Sequence, residues 1–215
     1  MGLIPIKTPV LVKTMFPNYT WDMTTDEKII HLSFDDGPTP NITNWTLDVL
    51  KEFHAKATFF CIGNNIEKYP EIFQNIVNDG HAVGNHTHNH IKGWKTNTTD
   101  YLKNVSDAQI IIDHHNQKIN NRNLFRPPYG QITPIQGKKL IAMGYKIIMW
   151  DVLSFDWDKN VTPETCLNHV ISKATKGSVV VFHDSIKASK NMQYALPKVL
   201  DYYSKKGYVF KELSL

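Results

Sequence analysis

The sequence predicts an α/β fold, a barrel of seven parallel strands alternating with helices. Short apolar runs rich in strand-forming residues alternate with amphipathic stretches of about ten residues or more, which is typical of parallel crossover units. Polar residues capable of chemistry directly follow five of these runs. No GxGxxG or GxxxxGK loop follows any run, which counts against the competing architecture, an open doubly wound sheet with a nucleotide crevice.

The elements follow one another in a regular order. The first strand starts at Ile29 and is stopped by Gly37-Pro38, and the later strands are expected at 57–62, 81–84, 124–125, 145–150, 178–182 and 208–213. Amphipathic helices are expected at 43–54, 66–78, 100–119, 135–143, from 163 to 176, and at 192–205. Residues 1–27 are predicted to form an N-terminal covering segment, and residues 28–215 one single domain.

Composition excludes several classes of protein. Hydrophobic residues make up 41% and charged residues 20% of the 215 residues, values that indicate neither disorder nor a membrane span. The net charge of +4 comes from scattered lysines without a basic stripe, so we expect no nucleic-acid partner. Cys61 and Cys166 lie far apart and indicate neither a disulfide framework nor a metal pair. Prolines and lysines interrupt the N-terminus, which is not a convincing signal peptide, so the chain as it stands is expected in the cytoplasm.

Two adjacent carboxylates end the first strand. Side chains alternate between faces along an extended backbone, so Asp35 and Asp36 are expected to point in different directions and to do different work. One could bind a metal while the other transfers a proton. The alternative is a turn in which an aspartate caps the chain.

Three histidines alternate within the stretch that follows the third strand. His86 and His90 are four residues apart, so one helical turn would place both imidazoles on one face, as in the HExxH zinc motif. An extended chain would instead place His86, His88 and His90 on one face, and the alternative to metal binding is a solvated polar loop. Two imidazoles with Asp36 would leave open positions on a metal for water and substrate.

Three further stretches follow the fourth, fifth and sixth strands. Arg126 stands before Pro127-Pro128 and could hold a carboxylate, although an arginine on a proline loop is more often a surface residue. The other two stretches are Trp150 to Trp157 and Val181 to Asp184, and a histidine such as His183 at a strand end is more often structural. Because all parallel strands of a barrel end on the same face, the five stretches are expected to meet there.

The segments SFDD, HTHNH, RPPY, SFDW and VFH, in this order, resemble the five motifs of the NodB-homology polysaccharide deacetylases, carbohydrate esterase family 4. The resemblance covers residues 28–215. It implies a distorted, NodB-like, seven-stranded (β/α) barrel. It also implies metal-dependent removal of acetyl groups from N-acetylated, or alternatively O-acetylated, sugars of an oligosaccharide or polysaccharide, without a covalent intermediate.

The resemblance also implies a role for each matching residue. One divalent transition metal, zinc in the first place with cobalt or nickel as alternatives, would be bound by Asp36, His86 and His90. Asp35 would be the general base and His183 the general acid. Arg126 would hold Asp35, and Asp156 would hold His183. The backbone N–H of Tyr129 would stabilise the oxyanion, and Trp157 would form a wall of the acetyl pocket.

The match departs from the family pattern at two positions. Leu153 stands where an aspartate is frequent, which affects secondary contacts near the acid, and Val181 replaces a leucine, which affects the size of the substrate pocket. His88 is left out of the metal site. Two rival functions remain, a non-haem iron oxygenase and a catalytically silent sugar-binding barrel. The particular saccharide and the oligomeric state stay open, and the family resemblance allows a role outside the cytoplasm.

Overall fold

The structure is a computed structural model that describes residues 5–116 and 123–214. The protein is built around a curled sheet of parallel strands. The strands are β1 (Ile29–Asp35), β2 (Ala57–Cys61), β3 (Ala82–Asn85), β4 (Leu124–Phe125), β5 (Lys146–Ile147), β6 (Val152–Leu153), β7 (Val179–His183) and β8 (Val209–Phe210). Their order across the sheet is β5-β4-β3-β2-β1-β7-β6, and β8 pairs with the first residues of β1. The predicted parallel α/β architecture is therefore confirmed.

Helices cover the outer face of this sheet. They are α1 (Val10–Met15), α2 (Ile42–Glu52), α3 (Gly63–Lys68), α4 (Pro70–Asn78), α5 (Thr98–His115), α6 (Pro134–Ala142), α7 (Pro163–Ile171) and α8 (Ser189–Ser204). The largest apolar core lies between the sheet and α2, α4, α7 and α8. A second core joins β4 and β5 to α5 and α6.

Strand β1 lies at the centre of the sheet, and all seven of its residues are buried. Its apolar side chains at Ile30, Leu32 and Phe34 pack into the outer core beneath the helices. Side chains alternate along a strand, so Ser33 and Asp35 face the barrel interior instead. The central strand therefore carries a buried carboxylate into the middle of the molecule.

The predicted fifth strand, residues 145–150, is too long: only β5 forms within this range, and β6, a further strand that the sequence did not predict, follows it. β5 pairs with β4 and β6 pairs with β7, while the described strand pairs include none between β5 and β6. Backbone groups between them bond to the N-terminal segment instead: Met149 N–H donates to Thr20 O at 2.7 Å, and Thr8 N–H donates to Asp151 O at 2.8 Å. The N-terminal segment thus occupies the gap at which the barrel would otherwise close.

Several predicted boundaries are corrected. The helix expected at 66–78 is two helices, because Pro70 starts α4 and the preceding Tyr69 adopts φ −136°, outside the helical range. The helix expected to end at 176 ends at Ile171, and the last strand is limited to β8. Residues 117–119 of the longest predicted helix lie outside the described residues. Within the described ranges, no helix has the length and apolarity needed to cross a membrane.

Asp151 fastens the N-terminal segment to this gap. Its carboxylate is 2% exposed and accepts hydrogen bonds from Lys7 Nζ at 3.0 Å, Lys13 Nζ at 2.6 Å and Ser178 Oγ at 2.6 Å. Asp151→Ala should lower the free energy of unfolding by about 1–3 kcal/mol, because it removes two partly buried lysine ion pairs and the acceptor of the buried Ser178 hydroxyl. Urea denaturation measures this change. Removing an exposed ion pair with Asp201→Ala, the matched control, should cost less than about 0.5 kcal/mol, and equal losses in both variants would contradict the assigned role.

Candidate active site

The carboxyl ends of the strands bring the candidate residues together. Asp35 ends β1, His86 follows β3, Arg126 follows β4 and His183 ends β7. In the register of the central strands, Asp35 lies directly opposite His183. The convergence expected for a parallel barrel is observed.

Asp35 is held from the barrel interior by Arg126. The Arg126 side chain is fully buried, and its Nη1 donates to Asp35 Oδ1 at 2.7 Å and to Ser33 Oγ at 2.8 Å. Its Nε and Nη2 donate to the carbonyl oxygens of Ile148 (3.2 Å) and Met149 (2.9 Å). Arg126 is thus a buried residue of the site, and the alternative of a surface arginine is wrong.

Asp36 points away from Asp35 and meets two imidazoles. Asp36 Oδ1 lies 3.2 Å from His90 Nε2 and 3.7 Å from His86 Nε2. Potential ligand atoms of these three residues all lie within 4.8 Å of one another. Among the described residues this buried oxygen accepts no hydrogen bond of normal geometry. The adjacent carboxylates therefore have separate partners, as expected, although Asp36 lies one residue beyond β1 and has a left-handed φ of 82° that strand alternation does not describe.

The donor set fits a metal ion. His86 Nδ1 lies 2.8 Å from the Arg126 carbonyl oxygen, which makes Nδ1 the protonated nitrogen and leaves the Nε2 lone pair directed at Asp36. Burial lowers the pKa of His86 to about 4, so the imidazole is neutral at neutral pH. Although burial alone would raise the pKa of Asp36, the neighbouring His90, His183 and His86 lower it below its usual range. Neutral imidazoles and an ionised carboxylate are the forms that bind metals.

The histidine stretch is a loop, so the expectation of one helical turn is wrong. Thr87 and His90 have φ of 63° and 53°, which no helix permits. The Asn104 side chain accepts hydrogen bonds from the backbone N–H groups of His88 and Asn89, each at 3.0 Å, and fixes this backbone. The His88 ring instead lies 3.7 Å from Glu67. His86 and His90 therefore converge through loop geometry, and His88 stays outside the cluster.

His183 faces this cluster from the opposite side of β1. Its Nδ1 lies 2.9 Å from Asp156 Oδ1, and its backbone N–H donates to Asp156 Oδ2 at 2.7 Å. Burial lowers the pKa of His183, but the charge and hydrogen bond of Asp156, with Asp36 and Asp35 behind it, raise it to about 9. The imidazole is therefore charged at neutral pH, with Nε2 left for the substrate.

Aromatic side chains lie next to two of the histidines of this site. The Trp157 ring contacts His183 with centroids 4.6 Å apart, and the Tyr129 ring contacts His90 at 4.7 Å. Val181 is 1% exposed and lies two residues before His183 on the same face of β7. Its effect on the pocket stays a prediction. Leu153 is buried in β6, opposite Val181.

This arrangement matches a known family. A polysaccharide deacetylase family model matches residues 22–148. A peptidoglycan-N-acetylglucosamine deacetylase of Bacillus cereus is 34% identical over 91% of both chains.

The chain belongs to the polysaccharide deacetylase family.

Two further comparisons agree with this membership. A chitooligosaccharide deacetylase of Azorhizobium caulinodans is 33% identical over 75% of this chain and 76% of that protein. The crystal structure of the Bc1960 peptidoglycan N-acetylglucosamine deacetylase superimposes with a TM-score of 0.87 at 32% identity, covering 96% of this chain and 95% of that one. The predicted family, its distorted barrel and the assignment as a metal-dependent deacetylase are confirmed.

Sequence reasoning missed one buried acid of this deacetylase. Asp184 is fully buried, accepts a hydrogen bond from Gly37 N–H at 3.1 Å and another from the Thr43 hydroxyl. Its carboxylate lies so close that a Cβ on Gly37 would fall 2.0 Å from Asp184 Oδ2. It thereby supports the turn that presents Asp36. The available signal was its position directly after His183 in a motif already singled out.

Metal affinity should depend on Asp36 and not on His88. We expect Asp36→Ala to abolish stoichiometric binding of zinc, because three protein ligands become two, and His88→Ala to leave it within about threefold of wild type. Isothermal titration of the metal-free protein measures both. Equal loss of zinc in both variants, or an ion coordinated by His88 in a crystal structure, would contradict the assigned ligands.

Proposed function

We propose that this chain removes the acetyl group from N-acetylglucosamine-type residues of a glycan by hydrolysing the acetamide. One observation carries the proposal: an aspartate base and a charged histidine acid lie opposite each other in the β1–β7 register, beside a three-residue metal cluster. Hydrolysis of an amide needs both groups, one to take a proton from water and one to protonate the leaving amine. The peptidoglycan and chitooligosaccharide deacetylases among its relatives support this substrate class.

Asp35 is assigned as the general base. The Arg126 guanidinium donates to Oδ1 at 2.7 Å, which orients the group. The carboxylate can then take a proton from the water that attacks the acetyl carbon. Because Arg126 is itself anchored to two backbone carbonyls, the base has a fixed position and needs no rearrangement.

Asp36, His86 and His90 would hold the metal, and zinc is our proposal because it suits two imidazoles and one carboxylate. When bound, such an ion polarises the acetyl carbonyl and lowers the pKa of water. Tyr129 is assigned the role of donating its backbone N–H to the oxyanion. The support is its position, since its ring contacts His90 and its backbone follows two prolines.

His183 is assigned as the general acid. Asp156 binds Nδ1 and keeps the ring charged, so Nε2 carries a proton that the leaving amine can take. Trp157 packs at the edge of this imidazole and would wall the acetyl group. An iron oxygenase would use the same three ligands but has no role for a base and an acid placed opposite each other.

Acetate release tests the proposal directly. Oligomers of N-acetylglucosamine and intact peptidoglycan are incubated with zinc-loaded protein, and acetate and free amines are counted together. We expect equal amounts of both products, loss of activity after chelation and recovery with zinc under anaerobic conditions. Acetate without new amines would mean an esterase, and a requirement for oxygen would mean an oxygenase.

Asp35→Asn should separate base chemistry from metal binding. The amide keeps the shape of the carboxylate but cannot accept the proton, so we expect kcat to fall by about 10²–10⁴-fold. Zinc affinity should remain near that of wild type, as measured by titration. Asp36→Ala is the opposite control, since it should lose zinc first. If both variants bound zinc equally weakly, the assignment of Asp35 as the base and Asp36 as a metal ligand would be wrong.

The pH dependence of kcat/KM should reflect the protonation of His183. His183 has to be protonated, and its pKa is raised to about 9, so kcat/KM should fall as pH rises through that region. Asp156→Asn removes the largest favourable charge, which lowers the pKa of His183 and should shift this alkaline limb toward lower pH. The measurement is kcat/KM of the wild type and of Asp156→Asn from pH 6 to 10 on one oligosaccharide. An unmoved or raised limb in the variant would remove Asp156 from this role.

A further inference from the structure

Trp94 is an exposed tryptophan beside the active site that the mechanism does not use. It lies in the short 3₁₀ turn Gly93–Lys95 after the histidine loop, and 67% of its surface is exposed. Its indole N–H donates to the carbonyl oxygen of Ile132 at 3.1 Å. Because Ile132 belongs to the loop after β4, Trp94 connects two loops at the carboxyl end of the barrel.

The turn that carries Trp94 is firmly held. Gln136 Nε2 donates to the carbonyl oxygens of Gly93 at 2.9 Å and Thr96 at 3.0 Å. A Cβ on Gly93 would meet the Gln131 carbonyl oxygen at 2.3 Å, so the two loops are in close backbone contact. An exposed aromatic ring fixed in this way has lost its rotamer freedom before any ligand arrives, which lowers the entropy cost of binding.

The two loops that Trp94 connects also meet at the metal cluster. Its neighbour Lys92 places Nζ 4.7 Å from the centroid of the Tyr129 ring, and that ring lies 4.7 Å from the His90 ring. Tyr129 itself is 54% exposed. These two loops therefore each carry an exposed aromatic residue: Tyr129, which lies against a metal ligand candidate, and Trp94, which is bonded to the loop of Tyr129 at Ile132.

We propose that Trp94 is a specificity-determining residue that stacks on a second sugar residue of the glycan while the first is deacetylated beside Tyr129. The flat apolar face of a pyranose ring suits an aromatic plane, and a large exposed aromatic surface next to a site is typical of ligand binding. The inference rests on the proposed function and adds to it that the preferred substrate is an extended chain. Trp94 does not touch the reacting atoms.

The test compares substrates of different length. kcat/KM is measured for N-acetylglucosamine pentamer and for the shortest oligomer that the wild type deacetylates. In Trp94→Ala we expect kcat/KM for the pentamer to fall about tenfold through a higher KM, and that for the shortest oligomer to change less than about twofold. Trp94→Phe retains a ring without the N–H and should recover part of the loss.

The matched control for Trp94→Ala is the removal of another exposed apolar side chain. Ile110→Ala removes an apolar side chain of similar exposure, 65%, near the far end of α5, and should change neither substrate. If Trp94→Ala lowered kcat/KM equally for both oligomers, Trp94 would only support the Tyr129 loop, and the inference would be wrong. The inference would also be wrong if the variant lowered kcat/KM for neither oligomer, or if the wild type showed no preference for length. If the wild type released acetate from none of these sugars, the proposed function itself would fail.

Discussion

The buried ion pair between Arg126 and Asp35 is the interaction on which the rest of the site depends. Burying a guanidinium costs several kcal/mol unless its donors are satisfied. Here they reach Asp35, Ser33 and the carbonyl oxygens of Ile148 and Met149. The guanidinium also lies 4.1 Å from the centroid of a buried phenylalanine ring, Phe60. One side chain thereby connects the central strand to the backbone that follows β5 and fixes the position of the Asp35 carboxylate.

The same arginine also organises the metal cluster, through its backbone. Its N–H donates to Asn85 O at 3.0 Å, which pairs β3 with β4, and its carbonyl oxygen accepts from His86 Nδ1 at 2.8 Å. The first contact aligns the strand ends, and the second selects the tautomer that leaves Nε2 free for a metal. One residue therefore positions Asp35 through its side chain and His86 through its backbone.

Three buried carboxylates lie close to the ends of β6 and β7 and differ in the partners that they contact. Asp151 and Asp156 are five residues apart on either side of β6. Asp151 binds lysines of the N-terminal segment and holds the gap in the sheet, whereas Asp156 binds His183 and keeps it charged. Asp184 has a third role beneath the turn at Gly37. One residue type therefore makes three different contacts: with lysines, with a histidine and with the turn before Pro38.

The sequence by itself determined the parallel barrel, the order of five polar stretches and the separation of Asp35 from Asp36. These follow from local rules: apolar periodicity defines strands, parallel strands end on one face, and adjacent side chains in a strand diverge. Tertiary structure alone decided the irregular histidine loop, the early end of the fifth strand and the contacts of Asp184. In each case a distant group supplies the constraint: the Asn104 side chain holds the loop, the N-terminal segment takes the backbone hydrogen bonds between β5 and β6, and Asp184 binds the turn at Gly37. Such partners are remote in the chain, and periodicity carries no information about them.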